Sequence, residues 1–199
     1  MEIGLYFGTY NPIHVGHLII ANHIANYTKL DQVWLVVSPQ NPFKNKASLL
    51  KDHHRLALVN VAIEGNQKLK ASNIEFNLPQ PSYTIDTLAF IKEKHPEHTF
   101  SVIMGEDNLR SLHKWKNHEQ LLENHHVFVY PRMRTNQEED DAVPVRFNNH
   151  PNITICKDAP IMKISASFIR KAIQEKKEVR YLLSEPVYTY IKEMHFYEK

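Results

Sequence analysis

Along this chain, short apolar runs alternate with stretches whose hydrophobic residues recur every three or four positions. The runs "IGLYFG" (3–8), "QVWLVVS" (32–38), "TFSVIMG" (99–105) and "HVFVYP" (126–131) are apolar almost throughout, the pattern of strands buried on both faces. "LKASNIEF" (69–76) reads as a strand of mixed exposure and "NITICK" (152–157) as the last strand. In "HLIIANHIANYTK" (17–29) Leu18, Ala21, Ile24 and Ala25 share one helical face. "KDHHRLALVNVAIEG" (51–65) predicts a helix closed by Gly65, and "SYTIDTLAFIKEKHP" (82–96) one capped by Thr84 and stopped by Pro96. The stretch 106–124 is helical in character, and helices are predicted over 165–177 and 185–195. Residues 132–152 are polar without a period and predict a long surface loop.

Regular strand–helix alternation implies an α/β fold: a Rossmann-like, doubly wound parallel sheet with helices on both faces and a small C-terminal helical segment. The length of 199 residues predicts a single domain, with a helical appendage from about 165 to 199. In such sheets ligands sit outside the carboxyl ends of the strands. The loops at 8–17, 39–50, 77–84, 105–107, 131–134 and 158–167 are therefore where chemistry is expected.

Composition narrows the partners. A net charge of +2, with acids and bases interspersed, offers no field for wrapping a nucleic acid. One cysteine, Cys156, excludes an internal disulfide and fits a reducing compartment. "MEIGLYFG" is no secretory signal, and no apolar run spans a membrane, so a cytoplasmic location is expected. Whether copies of the chain form a homo-oligomer stays open. The 13 histidines look scattered, without cysteines or carboxylates at ligand spacing, so no protein-held metal is expected.

The loop after the first strand is the densest in chemistry. Gly8 ends the strand, and Thr9-Tyr10-Asn11-Pro12 carries the chain over the sheet edge to a helix beginning near Val15. His14 and His17 stand three apart around that helix start, and Gly8 and Gly16 allow close approach of backbone to a ligand. Helix N-termini attract anions, and imidazoles donate to phosphate oxygens. A phosphate cradle, half of a metal site, and a pair of capping or packing histidines all fit this spacing. The dinucleotide-binding Gly-x-Gly-x-x-Gly is absent.

"GTYNPIHVGH" (8–17) resembles the His-x-Gly-His signature of a nucleotidyltransferase superfamily, and "ISASFIR" (164–170) resembles its second signature. "SPQNPFK" (38–44), "DHHRLAL" (52–58), "PSYTIDTL" (81–88), "MGEDNLRSLHKWKNHEQLL" (104–122), "VYPR" (129–132) and "VRYLLSEPVYTYI" (179–191) are similar to segments of the nicotinate-nucleotide adenylyltransferases. Phe7 stands where that family usually has a glycine, Asn11 where Asp is frequent, and Ala166 and Ser167 where Ser and Thr are common.

The resemblance implies adenylyl transfer from ATP to nicotinic acid mononucleotide, with Mg²⁺ carried mainly by the ATP phosphates. By resemblance His14, His17, Lys44 and Arg170 are catalytic. Gly8, Thr9, Gly16, Gly105, Asp107, Ile164, Ser165 and Ser167 join His14, His17 and Arg170 in binding ATP. Lys44, Tyr83, Thr84, Ile85, Trp115 and Arg132 would bind the mononucleotide. Here the backbone N–H groups of Tyr83 to Ile85 would receive the pyridine carboxylate, and Trp115 would offer the ring a flat face. Asp107 reads equally as a ribose or outer-sphere ligand or as the cap of the next helix. Alternatives are the same transfer to nicotinamide mononucleotide or phosphopantetheine, and a nucleotide sensor without turnover.

Overall fold

The computed structural model describes residues 1–39, 49–132, 147 and 149–198. Lys44 lies outside the described residues, as does most of the predicted 132–152 loop.

Six strands form one parallel sheet in the order β3-β2-β1-β4-β5-β6. They are β1 (Glu2–Gly8), β2 (Gln32–Val37), β3 (Leu69–Ser72), β4 (Thr99–Gly105), β5 (Val127–Tyr130) and β6 (Ile153–Ile155). The helices are α1 (Val15–Tyr27), α2 (Asp52–Ala62), α3 (Thr84–Lys94), α4 (Glu106–Ser111), α5 (His118–Asn124), α6 (Ala166–Gln174) and α7 (Glu185–Glu193). The expected α/β, doubly wound arrangement is present.

Strand pleating assigns side chains to the two faces by parity. On β2, Val33, Leu35 and Val37 join one core with Ile20 and Ile24 of α1 and Leu58 and Val59 of α2. The same core takes in Ile169 of α6 and Val187 and Ile191 of α7. Trp34 and Val36 face the other core, with Leu88 and Ile91 of α3, Leu109 of α4 and Leu121 of α5. The C-terminal helices thus share the apolar layer that holds α1 and α2. Both layers clamp β1 and β4; β4 is buried from its second residue onward and β1 through its middle, Ile3 to Tyr6.

Connections run one way from β1 to β3, and the chain then crosses to β4 on the far side of β1. That reversal opens a crevice at the carboxyl ends of β1 and β4, where α/β sheets bind ligands. Gly8 and Gly105 end those two strands.

Four local expectations differ. The 69–76 strand stops at Ser72, and Ile74–Asn77 turns into a 3₁₀ helix. Tyr83, not Thr84, is the N-cap of α3. The 106–124 stretch is two α-helices, the first extended by a 3₁₀ helix (Leu112–Lys114), because Trp115 leaves helical geometry and Asn117 is left-handed (φ 50°). Within the predicted surface loop, Phe147 is only 2% exposed and packs in the α3–α5 core.

Candidate active site

A cavity of about 650 Å³ lies in the crevice between β1 and β4, a size typical of small-molecule clefts. Its wall includes Gly8, Thr9, His14, Gly16, His17, Asp107, Trp115, Arg132, Ile164, Ser165, Ser167 and Arg170. Sequence segments from both ends of the chain therefore meet around one space.

The first segment folds tightly on itself. Tyr10 is left-handed (φ 45°), and the Asn11–Pro12 peptide bond is cis. Its phenol donates to the Tyr6 carbonyl at 2.6 Å, which brings the ring back over Gly8. A Cβ on Gly8 would sit 2.9 Å from that ring, and one on Gly16 would sit 3.1 Å from the His14 imidazole. The absent side chains thus make room for the protein's own rings, while both glycines remain on the cavity wall.

His14 is the N-cap of α1 and His17 lies in its first turn. Their rings stack at 3.7 Å, and the His14 amide donates to His17 Nδ1 at 3.3 Å. Tyr10 meets the His17 ring edge-on at 5.1 Å. His14 is buried, and its Nδ1 has no hydrogen-bond partner among the described residues. Burial, helped by the Arg132 charge, pulls the His14 pKa down to about 4. At neutral pH His14 is therefore an uncharged donor in the free protein. The capping reading holds for the His14 backbone, whose side chain makes no capping hydrogen bond, and the helix start places both imidazoles on the cavity wall.

The second segment closes the opposite wall. Ser165 caps α6, its Oγ accepting from the Phe168 amide at 3.2 Å, and its hydroxyl proton stays available to an anion. Arg170 donates to Ser167 Oγ at 3.3 Å and to the Asn11 carbonyl at 2.7 Å. This last bond joins residues 159 apart in sequence and locks the two signature segments together.

At the end of β4, Asp107 binds Arg132 at 2.7 Å. Gly105 is the cap of α4 and Asp107 lies in its first turn, so the capping reading of Asp107 is corrected. A Cβ on Gly105 would collide with the Asp107 carboxylate and come within 2.8 Å of Arg132 Cδ. Any larger residue here would force the two side chains of that ion pair to shift. Trp115 is half-buried, with one side on the α3–α5 core and another on the cavity.

Tyr83, Thr84 and Ile85 do not contribute to the cavity wall. They stand beside it: Lys116, next to Trp115, pairs with Asp86 at 2.8 Å and lies 5.0 Å from the centre of the Tyr83 ring.

Several contributors escaped the sequence reading. Tyr6, Tyr10, Tyr130, Asn108, Ser111 and Lys114 line the cavity. Arg55 is fully buried behind it, donating to the carbonyls of Leu50, Thr9, Ser38 and Pro39 and to Asp52. It ties together the chain after β1, the chain after β2 and the start of α2. One signal was available: Arg55 shares a helical face with Leu58 and Val59, an unusual place for a charge unless its bonds are met.

One histidine group is less scattered than expected. His95, Glu97 and His98 hold ligand atoms within 4.8 Å of one another. They precede β4, at the end of the sheet away from the cavity. No helix among the described residues is long and apolar enough to cross a membrane.

The model of the cytidylyltransferase-like family matches residues 5–172. A probable nicotinate-nucleotide adenylyltransferase of Flavobacterium psychrophilum is 56% identical over the full length of both chains. The chain belongs to the nicotinate-nucleotide adenylyltransferase family. A relative from Flavobacterium johnsoniae with the same description is 55% identical, again over both full lengths. Among solved structures, the nicotinic acid mononucleotide adenylyltransferase of Plasmodium falciparum, complexed with NaAD, superposes with a TM-score of 0.78. That match covers 99% of this chain and 97% of the other at 20% identity, so it speaks for the fold.

Proposed function

We propose that this chain joins ATP and nicotinic acid mononucleotide into nicotinic acid adenine dinucleotide, releasing pyrophosphate, as a step of NAD biosynthesis in the cytoplasm. The observation that carries the residue assignments is the Arg170–Asn11 bond, which sets both signature segments around one cavity. A 5′-phosphate oxygen of the mononucleotide attacks the α-phosphorus of ATP in line. A new P–O bond forms as the bond to the β-phosphate bridging oxygen breaks, and the electron pair leaves with pyrophosphate. Such transfers need positioning and charge stabilisation more than covalent chemistry.

The described wall suits two polyanions. Lys114, Arg132 and Arg170 supply positive charge against the single carboxylate of Asp107. His14 and His17 donate to the α-phosphoryl oxygens as charge builds there. Thr9 adds a hydroxyl beside them. Ser165, Ser167 and the amides opening α6 receive the β- and γ-phosphates, with Arg170 as fixed charge. Gly16 and Ile164 shape the floor around His14. Lys44, outside the described residues, is assigned to the phosphates by resemblance alone.

Mg²⁺ fits this wall without a carboxylate cage. It takes phosphate oxygens and waters readily, and Asp107 is the one carboxylate among the described lining residues, with Oδ2 already on Arg132. Bound there, the ion would neutralise phosphate charge. Its protein contact would be Asp107 at most.

For the acceptor, Trp115 supplies the face for the pyridine ring and Arg132 meets the mononucleotide phosphate or the ring carboxylate. Tyr83 to Ile85 serve as the carboxylate receptor only if substrate reaches past the described cavity wall. Purified protein, ATP and Mg²⁺ with nicotinic acid mononucleotide or nicotinamide mononucleotide in parallel test the proposal, with dinucleotide and pyrophosphate resolved by chromatography. A strong preference for the nicotinate substrate is expected. Equal use of both would remove the carboxylate receptor, and no product from either would remove the activity.

A further inference from the structure

Asn11 is held from two sides. Its carbonyl accepts Arg170, and its side-chain Oδ1 accepts the Leu50 amide at 3.2 Å. The same Oδ1 accepts a third donor from the far end of the chain: the Tyr197 phenol, at 2.8 Å and 186 residues away. Asn11 is 4% exposed and sits between left-handed Tyr10 and Pro12, three residues before His14.

The segment after α7 is shaped to reach this point. His195 and Tyr197 are both left-handed (φ 53° and 67°), a conformation that costs free energy in non-glycine residues. Between them Phe196 is driven into the core, its amide donating to the Ile191 carbonyl and its ring meeting His54 at 4.8 Å. That anchor aims the next side chain at the loop after β1. Burial drives the Tyr197 phenol far above its ordinary range, against the opposing charges of Arg170 and Arg55, so it remains a donor at any working pH.

We propose that Tyr197 is a positioning residue, a clip from the C-terminal segment that fixes Asn11 and through it both Arg170 and the 9–14 loop. The loop carries Thr9 and His14, so the clip acts on ATP through the walls assigned above, and its kinetic consequence rests on that reading. Displacing such a wall by about 1 Å can cost two orders of magnitude in rate. Losing one of the two donors that the described residues offer Oδ1 loosens the loop more modestly, by about the value of one hydrogen bond, threefold to tenfold in affinity.

The test compares wild type with Tyr197→Phe, which keeps the ring and removes only the hydroxyl. Ile191→Val, a buried trim in α7 away from the cavity, is the stability-matched control. The affinity of a non-hydrolysable ATP analogue is measured by calorimetry, beside kcat, both KM values and the thermal midpoint. Tyr197→Phe is expected to weaken the analogue and lower kcat/KM for ATP by about threefold to tenfold, with the mononucleotide KM unchanged. Ile191→Val is expected to lower the thermal midpoint about as much as Tyr197→Phe does, while the analogue affinity, kcat and both KM values stay at wild-type values. In an Asn11→Ala background, which removes the acceptor, Tyr197→Phe is expected to cost nothing further. Unchanged analogue affinity in Tyr197→Phe, an equal loss in Ile191→Val, or a full additional loss in the double variant would each overturn the clip. If wild type makes no dinucleotide, the transfer reading fails while the analogue affinities still decide Tyr197.

Discussion

His14 offers a test in which structure predicts a number. In an unfolded chain its imidazole titrates near 6.5, whereas in the folded protein burial and Arg132 hold it down to about 4. The unfolded state therefore binds the proton first as pH falls. The stabilisation is fully present above pH 6.5 and is lost progressively down to about pH 4. The whole difference is worth about 3 kcal/mol, of which about 2 kcal/mol disappears between pH 7 and pH 5. His14→Asn removes the titration while keeping a residue well suited to an N-cap. Urea unfolding at the two pH values, on wild type and variant, isolates the His14 contribution because the other titrating groups are common to both proteins. Wild type should lose about 2 kcal/mol more than the variant, roughly a 1 M difference in midpoint shift at an m-value near 2 kcal/mol per molar. An identical acid loss in both proteins would show that His14 is not held neutral by burial, and the uncharged-donor account would fall with it.

His17→Ala should lower kcat by about 10²- to 10³-fold, the usual effect of losing one oxyanion donor, with the thermal midpoint little changed. Near-normal turnover in the folded variant would remove His17 from the α-phosphoryl site. Arg55→Met leaves four backbone carbonyls without their donor, while the half-exposed Asp52 regains water. The carbonyls dominate the cost at about 3 kcal/mol, a fall of roughly 6–12 °C in thermal midpoint, and a midpoint within 2 °C of wild type would contradict the role given to Arg55. Gly105→Ala drives a methyl against Asp107 and Arg132. It should raise the KM for the mononucleotide by roughly tenfold, one ion pair's geometry, while the KM for ATP moves less; an unchanged mononucleotide KM would separate Arg132 from that substrate.

Much of the architecture was written locally. Parity along "QVWLVV" and near-continuous apolar strands demanded a sheet covered on both faces, and strand–helix alternation demanded parallel strands. Those patterns repeat every two or 3.6 residues, so each is complete within one element. The cavity-lining side chains were legible for a similar reason: His14, Gly16 and His17 lie within one helical turn, and Ser165, Ser167 and Arg170 within the first turn and a half of another helix.

What depended on packing was not legible. Nothing near Gly8 or Gly16 announces that Tyr10 and His14 fill the space their missing side chains leave. The break at Trp115 to Asn117 follows from where α4 and α5 must sit, not from a proline or glycine in that stretch. Amino-acid order determined which layers, strands and cavity-facing loops this protein has. The tertiary structure alone decided that Arg55 would hold the backbone behind the cavity, that His14 would be uncharged, and that Arg170 and Tyr197 would converge on Asn11. The physical reason is distance along the chain: burial and bonds between residues 159 and 186 apart exist only once the sheet has brought both ends of the molecule to one edge.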